Sequence, residues 1–445
     1  MRSENIAPAF DREEGDTTPG QRPGLCSESP VPHSEDGWRA WLALNASTGA
    51  LLGAILLVGM GSDLWQPLIP DYLKLLNAHV LLIALFGCAS DLLDAAAFYL
   101  GGALAARFNT RRALLLFNAL PLVGLVILLV WPNKAAVFVA LPFVVSWRSI
   151  AGPATLRVVG DSLATHRRSM AFSLQSIQKR VSSLLAYFLS GQFVLLWGEV
   201  RGVQAGVALS IVLVAGSLLL QFRYMRTAVA DQVLALQRPW AILRRFDPQL
   251  RQLLVSDVLA RWCEGMGREF LILFTLPLLA RSGLSPGEAA AFYVGVLLSV
   301  MNATSLLLYV PIGHFASKAG AAKKPFIGVT FVLFALFPLA LVLLGPSLGV
   351  AGLILAFVIG GLKEIGEPAR KAMITELAPA DCRTQAIGVY WASRSLAITL
   401  APLAGGLLWY YVSPEAMLWT SAALGIVGAA LFYLKFTGAT AAAPR

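Results

Sequence analysis

Ionisable side chains interrupt an apolar stretch of the sequence at residues 361–372, which read GLKEIGEPARKA. The segment directly before them, GVAGLILAFVIG, carries no charge. On one helix, Lys363 and Glu367 are four residues apart, and Glu367 and Arg370 are three apart, so both pairs share a face and are expected to form ion pairs. Charged groups at membrane depth normally face a bundle interior or a water-filled cavity. The stretch, which also contains Glu364, therefore predicts a polar interior.

A second stretch, SDVLARWCEGMGREF, has a similar arrangement of charges. Its charged residues are separated by four, three and four positions, which aligns them in one stripe of a helix. They are Asp257, Arg261, Glu264 and Arg268. Further charges within apolar segments are Asp63, Asp91, Asp94, Arg148, Lys179, Arg180, Glu269 and Arg394. Bases and acids are balanced in number, which structural ion pairing between helices would produce, so structural pairing and functional contact both remain open for each residue.

These residue types could bind an anion and exchange protons. Arginine binds a carboxylate or phosphate through two parallel hydrogen bonds, and a buried carboxylate can exchange a proton near neutral pH. The candidate substrate-binding residues are Arg148, Lys363, Glu364, Arg261, Glu264 and Arg394. The candidate proton-coupling residues are Asp91, Glu264 and Glu364. The candidate gating or structural pairs involve Asp63, Asp94, Lys179, Arg180, Asp257, Arg268, Glu269, Glu367 and Arg370.

The composition indicates a protein of the lipid bilayer. Of the 445 residues, 57% are hydrophobic and 13% are charged, whereas a soluble protein has about 25% charged residues. The net charge of +10 comes from bases in short loops between apolar blocks, which fits membrane orientation rather than nucleic-acid binding. The dispersed cysteines and histidines predict no metal site. Since the sequence has no ATP-binding or hydrolase motif, we expect no cofactor and no enzyme activity.

Twelve apolar blocks, each about 20 residues long or more, predict an all-α integral membrane fold. They lie at about 41–68, 79–103, 113–131, 135–158, 170–196, 203–223, 252–280, 289–314, 325–344, 349–374, 385–411 and 416–436. Blocks 3, 6, 9 and 12 have uncharged cores and are expected to face lipid. The loops after even-numbered blocks hold most of the bases, so the positive-inside rule predicts that both termini are cytoplasmic. The expected organisation is a disordered tail at 1–40, an N-terminal six-helix bundle at 41–223, a cytoplasmic linker at 224–251, a C-terminal six-helix bundle at 252–436 and a tail at 437–445.

An internal repeat relates the two halves of the chain. At a constant offset of 215 positions, the residues from Arg148 onward match those from Lys363 onward in charge and proline positions. GMGSDL in the first half matches GMGREF in the second. The repeat also pairs Asp63 with Glu269 and Asp91 with Asn302. Two parallel six-span repeats are typical of secondary transporters, which bind their substrate near the membrane midplane between the halves.

The loop after the second block, GALAARFNTRRALL at 102–115, resembles the glycine- and arginine-rich signature of the major facilitator superfamily. The matching loop-motif residues are Gly102, Arg107, Arg111, Arg112 and, in a weaker second copy, Gly313. The resemblance covers about residues 40–436 and implies a secondary transporter of twelve transmembrane helices in two pseudo-symmetric six-helix bundles, with spans 1, 4, 7 and 10 lining a central cavity. Ala106 and Ser317 stand where the family has Asp, and Asn109 where it has Gly. The charge contact of that Asp is therefore not predicted here.

These features predict a secondary active transporter that moves a small polar solute, with anions as one candidate class, by proton-coupled alternating access. The repeat-related bases Arg148 and Lys363 would hold one anion from both sides. A drug/proton antiporter of the same superfamily is the alternative, which is less favoured because span 5 lacks a glycine-proline pattern. A non-transporting membrane sensor or assembly protein is the alternative from another class. The expected partners are a small-molecule substrate, protons and the bilayer but no nucleic acid, and we expect a multi-pass monomer in the plasma (inner) membrane.

Overall fold

The computed structural model describes residues 46–107, 110–144, 168–224, 239–316, 323–379 and 382–436, and every regular element in these ranges is helical. Arg148, most of predicted span 4, the N-terminal tail, much of the linker and the C-terminal tail lie outside the described residues. We refer to residues 46–224 as the N-terminal half and to residues 239–436 as the C-terminal half.

The N-terminal half contains seven described α-helices. They are α1 (Ala46–Asp63), α2 (Ile69–Leu75), α3 (Val80–Arg107), α4 (Thr110–Val130), α5 (Lys134–Val144), α6 (Arg168–Trp197) and α7 (Glu199–Tyr224). A 3₁₀ turn, Gln66–Leu68, joins α1 to α2. Helix α1 packs on α6 and α7, and α4 packs on α5 and α7.

The C-terminal half contains ten described α-helices and one π-helical segment. The helices are α8 (Pro239–Arg244), α9 (Pro248–Arg268), α10 (Leu271–Arg281), α11 (Pro286–Phe292), α12 (Leu298–Ala316), α13 (Lys323–Leu362), α14 (Glu367–Leu377), α15 (Arg383–Ile398), α16 (Ala401–Tyr411) and α17 (Pro414–Lys435). The π-helical segment Tyr293–Leu297 joins α11 to α12. Helix α17 packs on α9 and α13.

The apolar helices confirm a multi-pass membrane protein. Within the described ranges, seven helical stretches are long and apolar enough to cross a bilayer, and three shorter apolar helices accompany them. Large apolar side chains on helices of blocks 3, 6, 9 and 12 are exposed, as expected for a lipid-facing surface. Examples are Leu116 on α4, Leu219 on α7, Leu343 on α13 and Leu434 on α17. The count of twelve spans stays a prediction.

Helix α13 is a hairpin rather than one straight helix. Gly349 has a φ of +57°, in the left-handed region that glycine adopts without strain. The rings of Phe337 and Phe357 lie 5.7 Å apart, although a straight helix would separate residues 20 positions apart by about 30 Å. The two arms therefore lie side by side and correspond to predicted spans 9 and 10.

Two repeat-related spans are broken at the same place. Helix α1 ends at Asp63, and α9 ends at Arg268 with Glu269 as its C-cap. Both acids are largely buried, at 7% and 8% exposure. The pairing of Asp63 with Glu269 in the sequence repeat therefore corresponds to a shared helix break. Discontinuous helices of this kind commonly form the binding sites of secondary transporters.

The two halves meet mainly through α3 and α6 of the N-terminal half. Helix α3 packs on α15 and α16, and α6 packs on α11, α12 and the π-helical segment. A Cβ added to Gly191 would lie 3.0 Å from the Cα of Gly295 and 3.1 Å from the carbonyl oxygen of Ala291. A Cβ added to Gly406 would lie 2.4 Å from that of Ala84. Small residues thus allow the helices of opposite halves to approach closely at both crossings.

Candidate functional site

Asp257 is the centre of a buried charge network in the C-terminal half. It lies on α9 and is fully buried. Its carboxylate forms an ion pair with Arg370 of α14 and accepts a hydrogen bond of 3.1 Å from the hydroxyl of Tyr390 on α15. Arg261 and Arg394 approach the same carboxylate at 4.0 and 3.8 Å. One acid therefore holds three helices together through four polar side chains.

Ion pairs of Arg261 and Lys363 extend this network toward the middle of the predicted membrane. Arg261 Nη1 lies 2.6 Å from Glu264 Oε2, one turn further along α9, and its Nη2 lies 3.4 Å from Glu367 Oε2. Lys363 Nζ lies 2.6 Å from Glu264 Oε1. Glu264 is thus shared by two bases, and its side chain keeps 25% exposure. We call the complete set the C-terminal charge network: Asp257, Arg261, Glu264, Lys363, Glu367, Arg370, Tyr390 and Arg394.

Of the two ion pairs predicted for Glu367, one is confirmed and the other is wrong. Glu367 does pair with Arg370, and also with the exposed Lys371 at 3.5 Å. The expected pair between Lys363 and Glu367 is wrong, because the helix is interrupted between them and Lys363 contacts Glu264 instead.

The interruption has a local cause in the packing of the two arms of α13. The backbone N–H of Gly366 donates to Thr330 Oγ1 at 2.6 Å, and a Cβ on Gly366 would lie 2.4 Å from the carbonyl oxygen of Phe326. The intervening turn uses three-residue hydrogen bonds, such as Ile365 N–H to Leu362 O. Such a turn changes the angular spacing of side chains, so the four-residue rule does not apply across it.

Arg180 of α6 links the two halves through polar contacts. Its Nη2 lies 3.1 Å from Glu364 Oε2, in the interruption before α14, and its Nη1 donates to Asn302 Oδ1 of α12 at 3.0 Å. The side chains of Arg180 and Glu364 are 18% and 16% exposed. A predicted proton-coupling residue thus forms an ion pair across the interface between the halves.

A second polar contact between the halves joins α9 to α3. Arg268 Nη1 lies 3.0 Å from Asp91 Oδ1, and its Nε lies 2.8 Å from Glu269 Oε1. The repeat-related positions Asp91 and Asn302 therefore each accept from an arginine of the opposite half. The internal repeat predicted this equivalence of position, although it did not predict the partners.

The other predicted site residues lie outside the C-terminal charge network. Asp63 accepts a hydrogen bond from Ser183. Asp94 lies on α3 three residues after Asp91, and Lys179 lies on α6 beside Arg180. The loop-motif residues are placed by backbone only: Gly102 and Arg107 on α3, Arg111 and Arg112 on α4, and Gly313 on α12.

Aromatic rings cover the bases of the network. The Phe334 ring lies 4.8 Å from Arg261 Cζ and 5.2 Å from Lys363 Nζ. The Trp391 ring lies 4.3 Å from Arg394 Cζ. Such contacts stabilise a cation over a ring face and limit the access of water to it.

Sequence reasoning missed four residues that contact the network or link the halves. They are Tyr390, Trp391, Phe334 and Asn302. Tyr390 and Trp391 lie one turn before Arg394, so aromatic residues beside a predicted intramembrane base were a usable signal. Phe334 belongs to an uncharged block, and nothing in the sequence pointed to it.

Residues 258–445 match the family model described as Major Facilitator Superfamily. The predicted resemblance is confirmed. No curated protein matches the chain by sequence. The chain is a multi-pass membrane protein with the fold of this superfamily.

Solved structures of transporters share this fold over most of the chain. The nucleoside transporter NupG is 14% identical, with 89% of this chain and 100% of that chain covered and a TM-score of 0.69. A POT family transporter in complex with 5-aminolevulinic acid is 14% identical over 87% and 94% of the chains, with a TM-score of 0.70. A peptide transporter POT in complex with sulfate is 16% identical over 87% and 93%, with a TM-score of 0.66. At these identities the likeness concerns the fold alone.

Proposed function

We propose that the chain is a secondary active transporter that moves a small polar solute, anions included, by proton-coupled alternating access. The observation that carries the proposal is the placement of ion pairs across the interface between the halves, at Arg180–Glu364 and Arg268–Asp91. Rocking of one half against the other must break such pairs and form others. An assembly protein that does not change conformation has no need of charges at this interface.

Protonation of the bridging acids provides a way to couple the motion to protons. A proton on Glu364 cancels the charge that holds Arg180, and a proton on Asp91 does the same for Arg268. Glu264, the third candidate, contacts two bases of its own half, Lys363 and Arg261, so its protonation would loosen contacts within the C-terminal half rather than between the halves. Proton uptake would therefore release contacts between helices, and proton loss would restore them.

The proposed solute class rests on the bases of the site and on the related structures. Similar structures include those of a nucleoside transporter and a peptide transporter, and complexes of such proteins with 5-aminolevulinic acid and with sulfate. We extend to this chain only the class of small polar solutes, within which the bases favour anions. We further propose a monomer as the working unit, with two six-helix bundles at 41–223 and 252–436 joined by the linker.

The proposed orientation in a plasma (inner) membrane has cytoplasmic termini and basic loops. The close crossings Gly191–Gly295 and Ala84–Gly406 then lie toward the external ends of their helices. In this orientation the structure is closed toward the outside of the cell.

Transport by purified protein in liposomes tests the proposal. Radiolabelled nucleosides, dipeptides and small carboxylates are offered under an imposed pH gradient, with empty liposomes as the background. We expect uptake of at least one class, its stimulation by the gradient, and loss of that stimulation in Glu364→Gln. The matched control is Glu415→Gln, at the N-terminus of α17 and distant in sequence from the network. Absence of uptake for every class under proton, sodium and solute gradients would reject the proposal.

A further inference from the structure

Arg394 differs from the other arginines of the C-terminal charge network in its hydrogen bonding. Its Nε and Nη1 are buried without a hydrogen-bond partner. The nearest carboxylate oxygen, Oδ2 of Asp257, lies 3.8 Å from Nη1, which is beyond hydrogen-bond distance. A buried donor that lacks a partner is energetically unfavourable. The guanidinium therefore has unused binding capacity.

The neighbouring arginines have used both of their Nη groups, and each keeps only a buried Nε without a hydrogen-bond partner. Arg261 directs both Nη atoms at carboxylates, namely those of Glu264 and Glu367. Arg370 does the same with Asp257 and Glu367. The predicted anion ligand Lys363 is held at 2.6 Å by Glu264 and lies 5.2 Å from each of two phenylalanine rings. Within the described part of the network, an anion that binds Arg394 therefore competes with one weak contact, the 3.8 Å approach of Asp257 Oδ2 to Nη1.

The buried charges of the network, which exclude the exposed Lys371 beside Glu367, leave one positive charge over. Its bases are Arg261, Lys363, Arg370 and Arg394, and its acids are Asp257, Glu264 and Glu367. The pair Arg180–Glu364 adds no net charge. Within the described residues, no ion pair connects the network to the separate group of Arg268, Asp91 and Glu269. Burial of a single excess charge favours a ligand with one compensating charge.

The side chain of Arg394 is partly exposed, although its Nε and Nη1 are themselves buried. Trp391 covers one face of the guanidinium at 4.3 Å, while the side chain retains 14% exposure. The planar guanidinium group of an arginine binds a carboxylate group through two parallel hydrogen bonds. The aromatic ring also restricts the rotamers of Arg394, which lowers the entropy cost of binding.

We propose that Arg394 and Trp391 form a binding site for one monovalent carboxylate group of the transported solute. This inference rests on the proposed function and adds to it the solute class and the residue that anchors it. The anchor is a base of the C-terminal half that the sequence repeat equates with Lys179, and it replaces Lys363 as the main anion ligand.

Ligand-dependent thermal stabilisation of the full-length protein in detergent tests the site without any transport step. The probes are acetate, lactate and benzoate at constant ionic strength, with lactamide and benzamide as uncharged analogues and sulfate as a divalent anion. We expect at least one carboxylate to raise the unfolding temperature in a concentration-dependent manner, and its amide to have no effect. A ligand that binds only the folded state stabilises it by an amount that grows with the logarithm of the ligand concentration above the dissociation constant.

Substitutions then assign the effect to Arg394. Arg394→Gln is expected to raise the dissociation constant about 10- to 100-fold, since charge-assisted hydrogen bonds are lost. Arg394→Lys keeps the charge but not the two-bond geometry and should give an intermediate loss. Arg281→Gln, at the exposed end of α10, removes the same charge elsewhere and should bind as wild type does. If Arg394→Gln does not fold, two measurements still test the site. They are the comparison of each carboxylate with its amide in the wild type, and the affinity of Arg394→Lys for the carboxylate.

Three results would overturn the site: no carboxylate stabilises the wild type, Arg394→Gln binds with unchanged affinity, or sulfate binds more tightly than every carboxylate. The transport assay separates this outcome from the proposed function. Carboxylate binding through Arg394 without any transport rejects the function and leaves the site. Transport of a solute without carboxylate binding rejects the site alone.

Discussion

Replacing Asp257 with asparagine removes the negative charge at the centre of the network and barely changes the side-chain volume. The native carboxylate is fully buried between Arg370 and the hydroxyl of Tyr390, and Arg394 lies 3.8 Å away. Breaking a buried ion pair by removing one partner costs about 3–5 kcal/mol, because the other charge stays in low dielectric. Arg370 keeps Glu367 as a partner. We therefore expect the lower limit, a loss of about 3 kcal/mol in the free energy of unfolding.

A double-mutant cycle in detergent micelles measures this value. Denaturant titrations followed by tryptophan fluorescence are compared for wild type, Asp257→Asn, Arg370→Gln and the double variant. Since Arg370→Gln removes the stranded base, the double variant should be at least about 2 kcal/mol more stable than the two single losses predict. The reasoning fails if Asp257→Asn stays within about 1 kcal/mol of wild type, or if the two losses are additive.

Two further predictions concern the interface between the halves and the surface. Gly191→Val should prevent the close approach of α6 to the π-helical segment and lower transport at least about tenfold, because its Cβ would lie 3.0 Å from Gly295 Cα. Gly295→Ala is the matched control, since its Cβ meets Gly191 Cα at an ordinary 3.5 Å, and equal loss in both variants would contradict the packing argument. Lys323→Gln should change the free energy of unfolding by less than about 1 kcal/mol, because its partner Glu376 is half exposed, and a larger change in a denaturant titration would be inconsistent with a surface pair.

The sequence predicted the fold well where apolar length and charge decide it. Blocks of about 20 apolar residues specify membrane helices because backbone groups must bond within a segment in lipid. The pairing of Asp63 with Glu269 even marked a shared helix break. The π-helical segment Tyr293–Leu297 had no visible signal, since it depends on packing against α6 rather than on composition.

The site was predicted in its residues but only partly in its contacts. Spacing along one helix correctly paired Glu367 with Arg370, and it placed Arg261 and Glu264, which form an ion pair, in the same stripe. It failed for Lys363, because Thr330 captures the backbone N–H of Gly366 and interrupts the helix. Gly366 and Pro368, two positions apart in GEPARKA, were a sign of this interruption.

Contacts between helices distant in sequence could not be derived from spacing at all. Asp91 with Arg268 and Arg180 with Glu364 depend on which faces of the two halves meet. The repeat located equivalent positions but did not specify their partners. The lack of partners for Nε and Nη1 of Arg394 also depends on these contacts, because the neighbouring acids pair with other bases.

The contacts between the halves limit how this protein can be made more heat-resistant. Gly191 lies against Gly295, and Arg180 bridges to Glu364, at an interface that the proposed transport cycle opens once in every turnover. Each additional 1.4 kcal/mol of attraction there would slow opening about tenfold. Stabilising substitutions at this interface should therefore raise the unfolding temperature of the protein and lower its turnover rate. Substitutions at contacts within one half, such as the packing of α9 on α17, are expected to raise heat resistance without lowering turnover, because the proposed cycle does not open those contacts.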